Sequence, residues 1–242
     1  MRHFSRLLAA TTTALFIGFG STASAVEVDV ELQLLVDVSG SIDSTEFGLQ
    51  RDGYVNAFKN QNVIDAILDT SNGRLGRIAV ELIYWSNAGD QDIISRGWEL
   101  IDSQQDAINF ANWVSFQPRP SAGVALTATG NAIAFGAALF NDNGYEGRRN
   151  VIDISGDGSE NDGIDTSDAR DAALAGGIDA INGLVILNEE PGTFDFYLNN
   201  VIGGSGSFIE QTQDFGDFED ALVSKLEREI TTVPEPAAMI LL

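Results

Sequence analysis

A chain of 242 residues with 44% hydrophobic and 20% charged residues can build one large α/β domain or two small ones. Lys and Arg number 13 against 36 Asp and Glu, a formal charge of −23, which opposes a phosphate backbone and argues against a nucleic-acid partner. With no cysteine, and one histidine (His3) in a segment expected to be removed, the mature chain excludes disulfide scaffolds, Cys/His zinc sites, Ser-His-Asp and Cys-His catalysis, and His-ligated haem; a metal must be held by oxygen, as Mg²⁺, Ca²⁺ or Mn²⁺ are.

Residues 1–25 read as a secretory signal. Arg2 and Arg6 form a positive start, residues 7–20 are mostly apolar, and Ala23-Ser24-Ala25 is a small-residue cleavage site. A membrane anchor is the weaker reading, because the apolar run is shorter than the ~20 residues of a span. Loss of the two arginines takes the formal charge from −23 to −25.

Apolar runs then alternate with helical patterns over residues 29–230, with no linker, repeat or low-complexity tract. The nearly continuous apolar run at 32–38 predicts a strand buried on both faces. Asp43 with Glu46 three residues on forms a helix start, followed by Phe47, Tyr54, Val55 and Phe58 at helical spacing. Residues 77–85 predict a second strand and 93–100 a third, at an edge. Residues 106–116 are helical, and 130–140 predict an almost wholly apolar, deeply packed helix. A strand at 150–155, a helix at 167–174, and strands at 181–187 and 207–211 follow. Phe215, Phe218, Leu222, Leu226 and Ile230 mark a closing amphipathic helix. This alternation predicts a doubly wound, mostly parallel sheet flanked by helices, one α/β domain over 26–230. Ligands of such folds bind beyond the carboxyl ends of the strands.

The chemistry sits there. Asp37, Ser39 and Ser41 alternate along the end of the first strand and converge as the chain turns at Gly40, offering hard oxygens to Mg²⁺. The competing reading has the serines cap the next helix. Gly156-Asp157-Gly158 places a carboxylate between glycines at another strand end, or makes a plain Asp-Gly turn. Leu126-Thr127-Ala128-Thr129-Gly130 stands before the apolar helix, where a threonine could simply be its N-cap.

Together these three segments resemble the metal-ion-dependent adhesion site (MIDAS) of von Willebrand factor A (VWA) domains: Asp-x-Ser-x-Ser, then a Thr before a central helix, then Asp-Gly after the fourth strand. Asp37, Ser39 and Ser41 match the first element, Thr127 the threonine with Thr129 the lesser candidate, and Asp157 the last. The closer likeness is to an uncharacterised bacterial branch of VWA-like proteins. It is carried by Val36-Asp37-Val38-Ser39-Gly40-Ser41, Leu49-Gln50-Arg51-Asp52-Gly53-Tyr54, the run 148–158, Ile181-Asn182-Gly183-Leu184 and the run 225–230. The resemblance implies that the hydroxyls bind Mg²⁺ (or Mn²⁺ or Ca²⁺) directly, that one or both aspartates act through water, and that an open position takes a partner's carboxylate. At the other end, Val233-Pro234-Glu235-Pro236 before an apolar stretch resembles the bacterial PEP-CTERM sorting signal. Six apolar residues cannot span a bilayer and no basic cluster follows, so 231–242 reads as a partial version of that tail.

Other motifs carry less. Asp153, Ser155 and Asp157 open like an EF-hand loop, but Ile164 stands where its closing Glu belongs. The acids Glu160, Asp162, Asp165 and Asp168 read as a solvated loop before an extra Ca²⁺ site. Gly203-Gly204-Ser205-Gly206 lacks the Lys of a phosphate cradle, and Trp85, Trp98 and Trp113 read as core or its margins. The expectation is an exported bacterial binding module, not an enzyme, secreted or held at the cell surface or in an exopolysaccharide matrix. Its partner is an acidic group of a protein or of a carboxylated exopolysaccharide. A metal-assisted hydrolase built on Asp37 and Asp157, and a structural matrix or envelope protein with a vestigial site, are the alternatives.

Overall fold

The computed structural model describes residues 24–91, 94–120, 125–187, 190 and 192–232. Residues 1–23 of the expected signal and 233–242 of the expected tail lie outside them. The first half of the chain forms β1 (Val26–Val28), β2 (Val30–Asp37), α1 (Ser44–Ala57), α2 (Gln61–Leu68), β3 (Ile78–Trp85), β4 (Glu99–Ile101) and α3 (Gln104–Ser115). The second half forms α4 (Thr129–Ala138), β5 (Tyr145–Gly147), β6 (Asn150–Gly156), α5 (Thr166–Ala175), β7 (Ala180–Ile186) and the short α6 (Thr193–Phe196). A π-helical turn, Tyr197–Val201, continues α6, and β8 (Gly203–Gly204), β9 (Ile209–Thr212) and α7 (Phe218–Thr231) close the chain.

Among the described residues, the main sheet has seven strands in the order β4-β3-β2-β6-β7-β8, with β9 also paired to β7. The pairs among β3, β2, β6, β7 and β9 are parallel, and only the short edge strands β4 and β8 run antiparallel. Every residue of β2, β3 and β7 is buried, as apolar runs covered on both faces must be. Leu32, Leu34, Val36 and Val38 face a core shared with α1, α2, α3 and α7. Leu35 faces the opposite core, shared with α4, α5 and the turn at Tyr197. The chain leaves β2 for β3 on one side and meets β6 on the other, so the crevice beside the end of β2 is a topological switch point. The expected doubly wound α/β sheet is what the chain adopts.

Local signals explain the boundaries. Asp43 caps α1 by accepting from the backbone N–H of Thr45 and Glu46, and Glu46 reaches back to the Asp43 N–H, a complete capping box. Of the expected strand at 93–100, residue 93 lies outside the described residues, and the strand begins only at Glu99 as β4, because Ser95 folds into a local turn that accepts from Gly97 N–H and donates to Glu81. The apolar helix at 130–140 is buried on one stripe only. Thr129, Gly130, Ala132, Ile133 and Gly136 pack inward while Ala134 and Ala138 face solvent, at little cost for so small a side chain. The sequence reading missed α2, capped by Asn60 and anchored by Val63, Ile64 and Ile67. It also missed the β1–β5 ribbon, whose strands have only three residues each.

An ionic cluster lies inside. Lys225 Nζ of α7 is 2.6 Å from Asp153 Oδ1 of β6 and 2.5 Å from Glu229 Oε1, and all three side chains are 0% exposed. Asn182 Nδ2 donates to the same Glu229 oxygen at 2.8 Å. Burial first, then the Asp153 charge, pushes the Glu229 carboxyl up to about 7. Asp153 thus belongs to the core and not to a calcium loop.

Candidate metal centre

The parallel register brings two strand ends level. Val36 of β2 pairs with Ser155 of β6, so Asp37 stands beside Gly156, and Asp157 follows at the mouth of the crevice. Beyond Asp37 the chain turns sharply: Ser39 N–H donates to Asp37 Oδ1 at 2.7 Å, aiming both serines back toward the sheet end. Ser41 Oγ, on the exposed turn, donates to Asp157 Oδ1 at 2.7 Å and lies 3.3 Å from Ser39 Oγ. Thr127 Oγ1 donates to Ser39 Oγ at 3.3 Å. All five singled-out side chains therefore meet in one hydrogen-bonded cluster at the carboxyl end of the sheet.

The local alternatives are not what the chain uses. Asp43 caps α1, not the serines, and the N-cap of α4 is Ala128, with no side-chain cap. Thr129 is turned into the core, and its hydroxyl has no hydrogen-bond partner among the described residues. Thr127 is the threonine that reaches the cluster. The acids of the following loop hold structure: Asp165 caps α5, Asp162 accepts from Ala88 N–H, and Glu160 accepts from Thr166 Oγ1.

Three residues that the sequence reading passed over fix the threonine loop. Asn161 Oδ1 accepts from Thr127 N–H at 2.8 Å while Asn161 N–H donates to Thr127 O at 3.0 Å. Asn87 Oδ1 accepts from the Leu126 and Ala125 amides at 2.6 and 3.2 Å. Ser86, just past β3, brackets the same segment, donating from Oγ to Leu126 O and accepting from Ala128 N–H at its carbonyl. The only sequence signal was two asparagines after strand ends, which is ordinary turn composition.

The electrostatics suit a cation. Asp37, Ser39 and Asp157 are buried, at 0%, 0% and 2% exposure. Burial and the Asp157 charge push the Asp37 carboxyl up to about 7. Asp37 Oδ2 has no hydrogen-bond partner among the described residues, and none of the salt bridges there involves Asp37. Two carboxylates and three hydroxyls form an all-oxygen donor set of the kind Mg²⁺ and Mn²⁺ take. An unsatisfied buried carboxylate oxygen within it fits such an ion. No cluster of three Asp, Glu, His or Cys side chains occurs among the described residues, so this donor set relies on its hydroxyls.

Comparison with known proteins places the chain. Residues 27–234 match the family model described as Protein of unknown function (DUF1194). No curated protein matches it significantly. Among solved structures it is similar to proximal thread matrix protein 1 (PTMP1) from the mussel byssus, solved with a zinc-occupied MIDAS motif. That pair shares 12% identity at a TM-score of 0.54, over 86% of this chain and 50% of that one. It is also similar to the pilus adhesin SpaC from Lactobacillus rhamnosus GG, with 16% identity and a TM-score of 0.59 over 86% of this chain and 31% of that one. The PilB minor pilin from Streptococcus sanguinis gives 12% and 0.56, over 84% and 61%. This chain spans half or less of the length of the first two. At such identities the likeness is one of fold, and that fold is VWA-like.

Proposed function

Since the chain belongs to the DUF1194 family and carries a VWA-like fold, we propose that it is an exported, metal-dependent binding module. In this reading Asp37, Ser39, Ser41, Thr127 and Asp157 hold Mg²⁺, with Mn²⁺ or Ca²⁺ as substitutes, and the partner contributes an acidic group from a protein or a carboxylated exopolysaccharide. The observation that carries it is the cluster itself. Three loops, from β2, from the segment before α4 and from β6, deliver five oxygen-bearing side chains to one point.

The residues divide the work. Ser39, Ser41 and Thr127 present neutral oxygens, and Asp37 and Asp157 present charge from the buried side. Bound there, a divalent cation supplies Lewis acidity toward a partner's carboxylate. Ser41, at the exposed turn, marks the side from which the partner approaches. The module is not an enzyme in this reading. Asp37 Oδ1 accepts from Ser39 N–H and Asp157 Oδ1 from Ser41 Oγ, so one oxygen of each carboxylate helps shape the site. The PTMP1 relative with a zinc-occupied MIDAS motif supports a divalent ion, and the SpaC adhesin supports a surface role. Among the described residues no helix is long and apolar enough to cross a membrane.

Calorimetric titration of Mg²⁺ and Mn²⁺ into the metal-stripped full chain, beside Asp37→Ala, tests this. Saturable binding by the parent that the variant lacks supports the reading, and no binding by a folded parent overturns it.

A further inference from the structure

Beneath the cluster lies a second buried polar group that the donor set does not use. Tyr197 opens the π-helical turn after α6, is wholly buried, and has a hydroxyl without a hydrogen-bond partner among the described residues. Such turns are rare in proteins and frequent at functional sites. Two glycines make room for this ring. A Cβ on Gly156 would fall 2.6 Å from Tyr197 Oη and 2.9 Å from Asp37 Oδ2, so the phenol and the orphaned carboxylate oxygen converge on the space beside that glycine. A Cβ on Gly183, on the neighbouring strand β7, would fall 2.8 Å from Tyr197 Cδ1. Adjacent strands thus both forgo a side chain where the ring enters.

We propose that Tyr197 is a positioning residue for Asp37: the two are not hydrogen-bonded in the structure, and as the carboxylate turns to a cation the neighbouring hydroxyl donates to Oδ2 and fixes its plane. The role deepens the metal-binding reading and rests on it. Asp37 has one oxygen tied to the Ser39 amide and the other free of local donors, which leaves the carboxylate able to rock about that single anchor. A carboxylate oxygen carries two lone pairs. A phenol donating from behind would occupy one and leave the other for the metal side. Burial, followed by the Asp37, Asp157 and Asp153 charges, holds the Tyr197 phenol well above its usual range, so it stays a donor at every ordinary pH. Metal-site carboxylates are commonly oriented by such a hydrogen bond from behind.

The experiment titrates Mn²⁺ into the metal-stripped full chain as parent, Tyr197→Phe and Tyr54→Phe. Phenylalanine keeps the ring in its slot and removes only the hydroxyl. Tyr54 is an equally buried tyrosine whose hydroxyl instead faces Ser155 Oγ, at 3.2 Å. The expected result is a dissociation constant raised on the order of tenfold in Tyr197→Phe, the size of a hydrogen bond to a charged group, and unchanged in Tyr54→Phe. The melting temperature of metal-free Tyr197→Phe should match or exceed the parent's. A near-ultraviolet tyrosine difference band on Mn²⁺ addition should appear in the parent and in Tyr54→Phe and vanish in Tyr197→Phe, which a packing role alone would not produce. Parental affinity and an undiminished band in Tyr197→Phe would overturn the positioning role and leave the metal site standing. A folded parent that takes up no Mn²⁺ would overturn both.

Discussion

Ser41 Oγ donates to Asp157 Oδ1 at 2.7 Å across 116 residues of sequence. That bond ties the turn after β2 to the end of β6 and joins the exposed Ser41 to the buried Asp37, Ser39, Thr127 and Asp157. A serine there can turn its hydroxyl lone pairs to a cation while a loop without it could not. Thr127 approaches the same cluster from the opposite loop and is held there by its backbone.

Removing a hydroxyl should therefore abolish or strongly weaken metal binding without unfolding the chain. Thr127→Ala and Ser39→Ala are expected to lose Mn²⁺ binding by at least tenfold in calorimetry. Each should keep its metal-free denaturation midpoint within about 1 kcal/mol of stability, the scale of one hydrogen bond. Asp37→Asn should likewise bind no metal, yet be at least as stable as the metal-free parent, since it relieves a buried carboxylate of its charge beside Asp157.

Asn161→Ala acts one step further out. It removes the acceptor for Thr127 N–H but no proposed ligand. Mn²⁺ affinity should fall severalfold, less than in Thr127→Ala, because the hydroxyl remains and only its placement loosens. Equal losses in the two variants would contradict this division of roles.

Among the described residues, the buried Lys225 is the one cation in ion-pair contact with both Asp153 and Glu229. Lys225→Met should destabilise by about 3–5 kcal/mol in urea unfolding, since it strands two carboxylates in the core. Adding Asp153→Asn and Glu229→Gln should recover a large part of that loss.

Stability should also depend on pH through Glu229. Its folded carboxyl titrates at about 7 against an ordinary 4.5, so the folded state keeps a proton that the unfolded chain releases earlier. The contribution is complete below about 4.5 and is lost as pH rises through 7, with a slope of at most ~1.4 kcal/mol per pH unit from this group. Asp37 titrates about as high and adds a slope of the same sign in the metal-free chain. Urea midpoints from pH 5 to pH 8 should fall for the parent and fall less for Glu229→Gln.

Much of this molecule was determined locally. The uninterrupted apolar run of β2, the Asp43–Glu46 capping box and the 3.6-residue spacing of Phe218, Leu222, Leu226 and Ile230 each depend on neighbours a few residues apart, and each was readable in the sequence. So were Asp37, Ser39, Ser41 and Asp157, because a strand end followed by a glycine turn is itself a local pattern. The resemblance already favoured Thr127 over Thr129, and the tertiary structure accords with that choice, since Thr127 bonds into the cluster while the Thr129 hydroxyl is buried without a partner among the described residues. The tertiary structure alone brought Asn161 to Thr127, Lys225 to Asp153, and Tyr197 beneath Asp37. These partners lie tens of residues apart or more. Their meeting depends on the register of parallel strands and the docking of helices on both faces, and no local pattern encodes either.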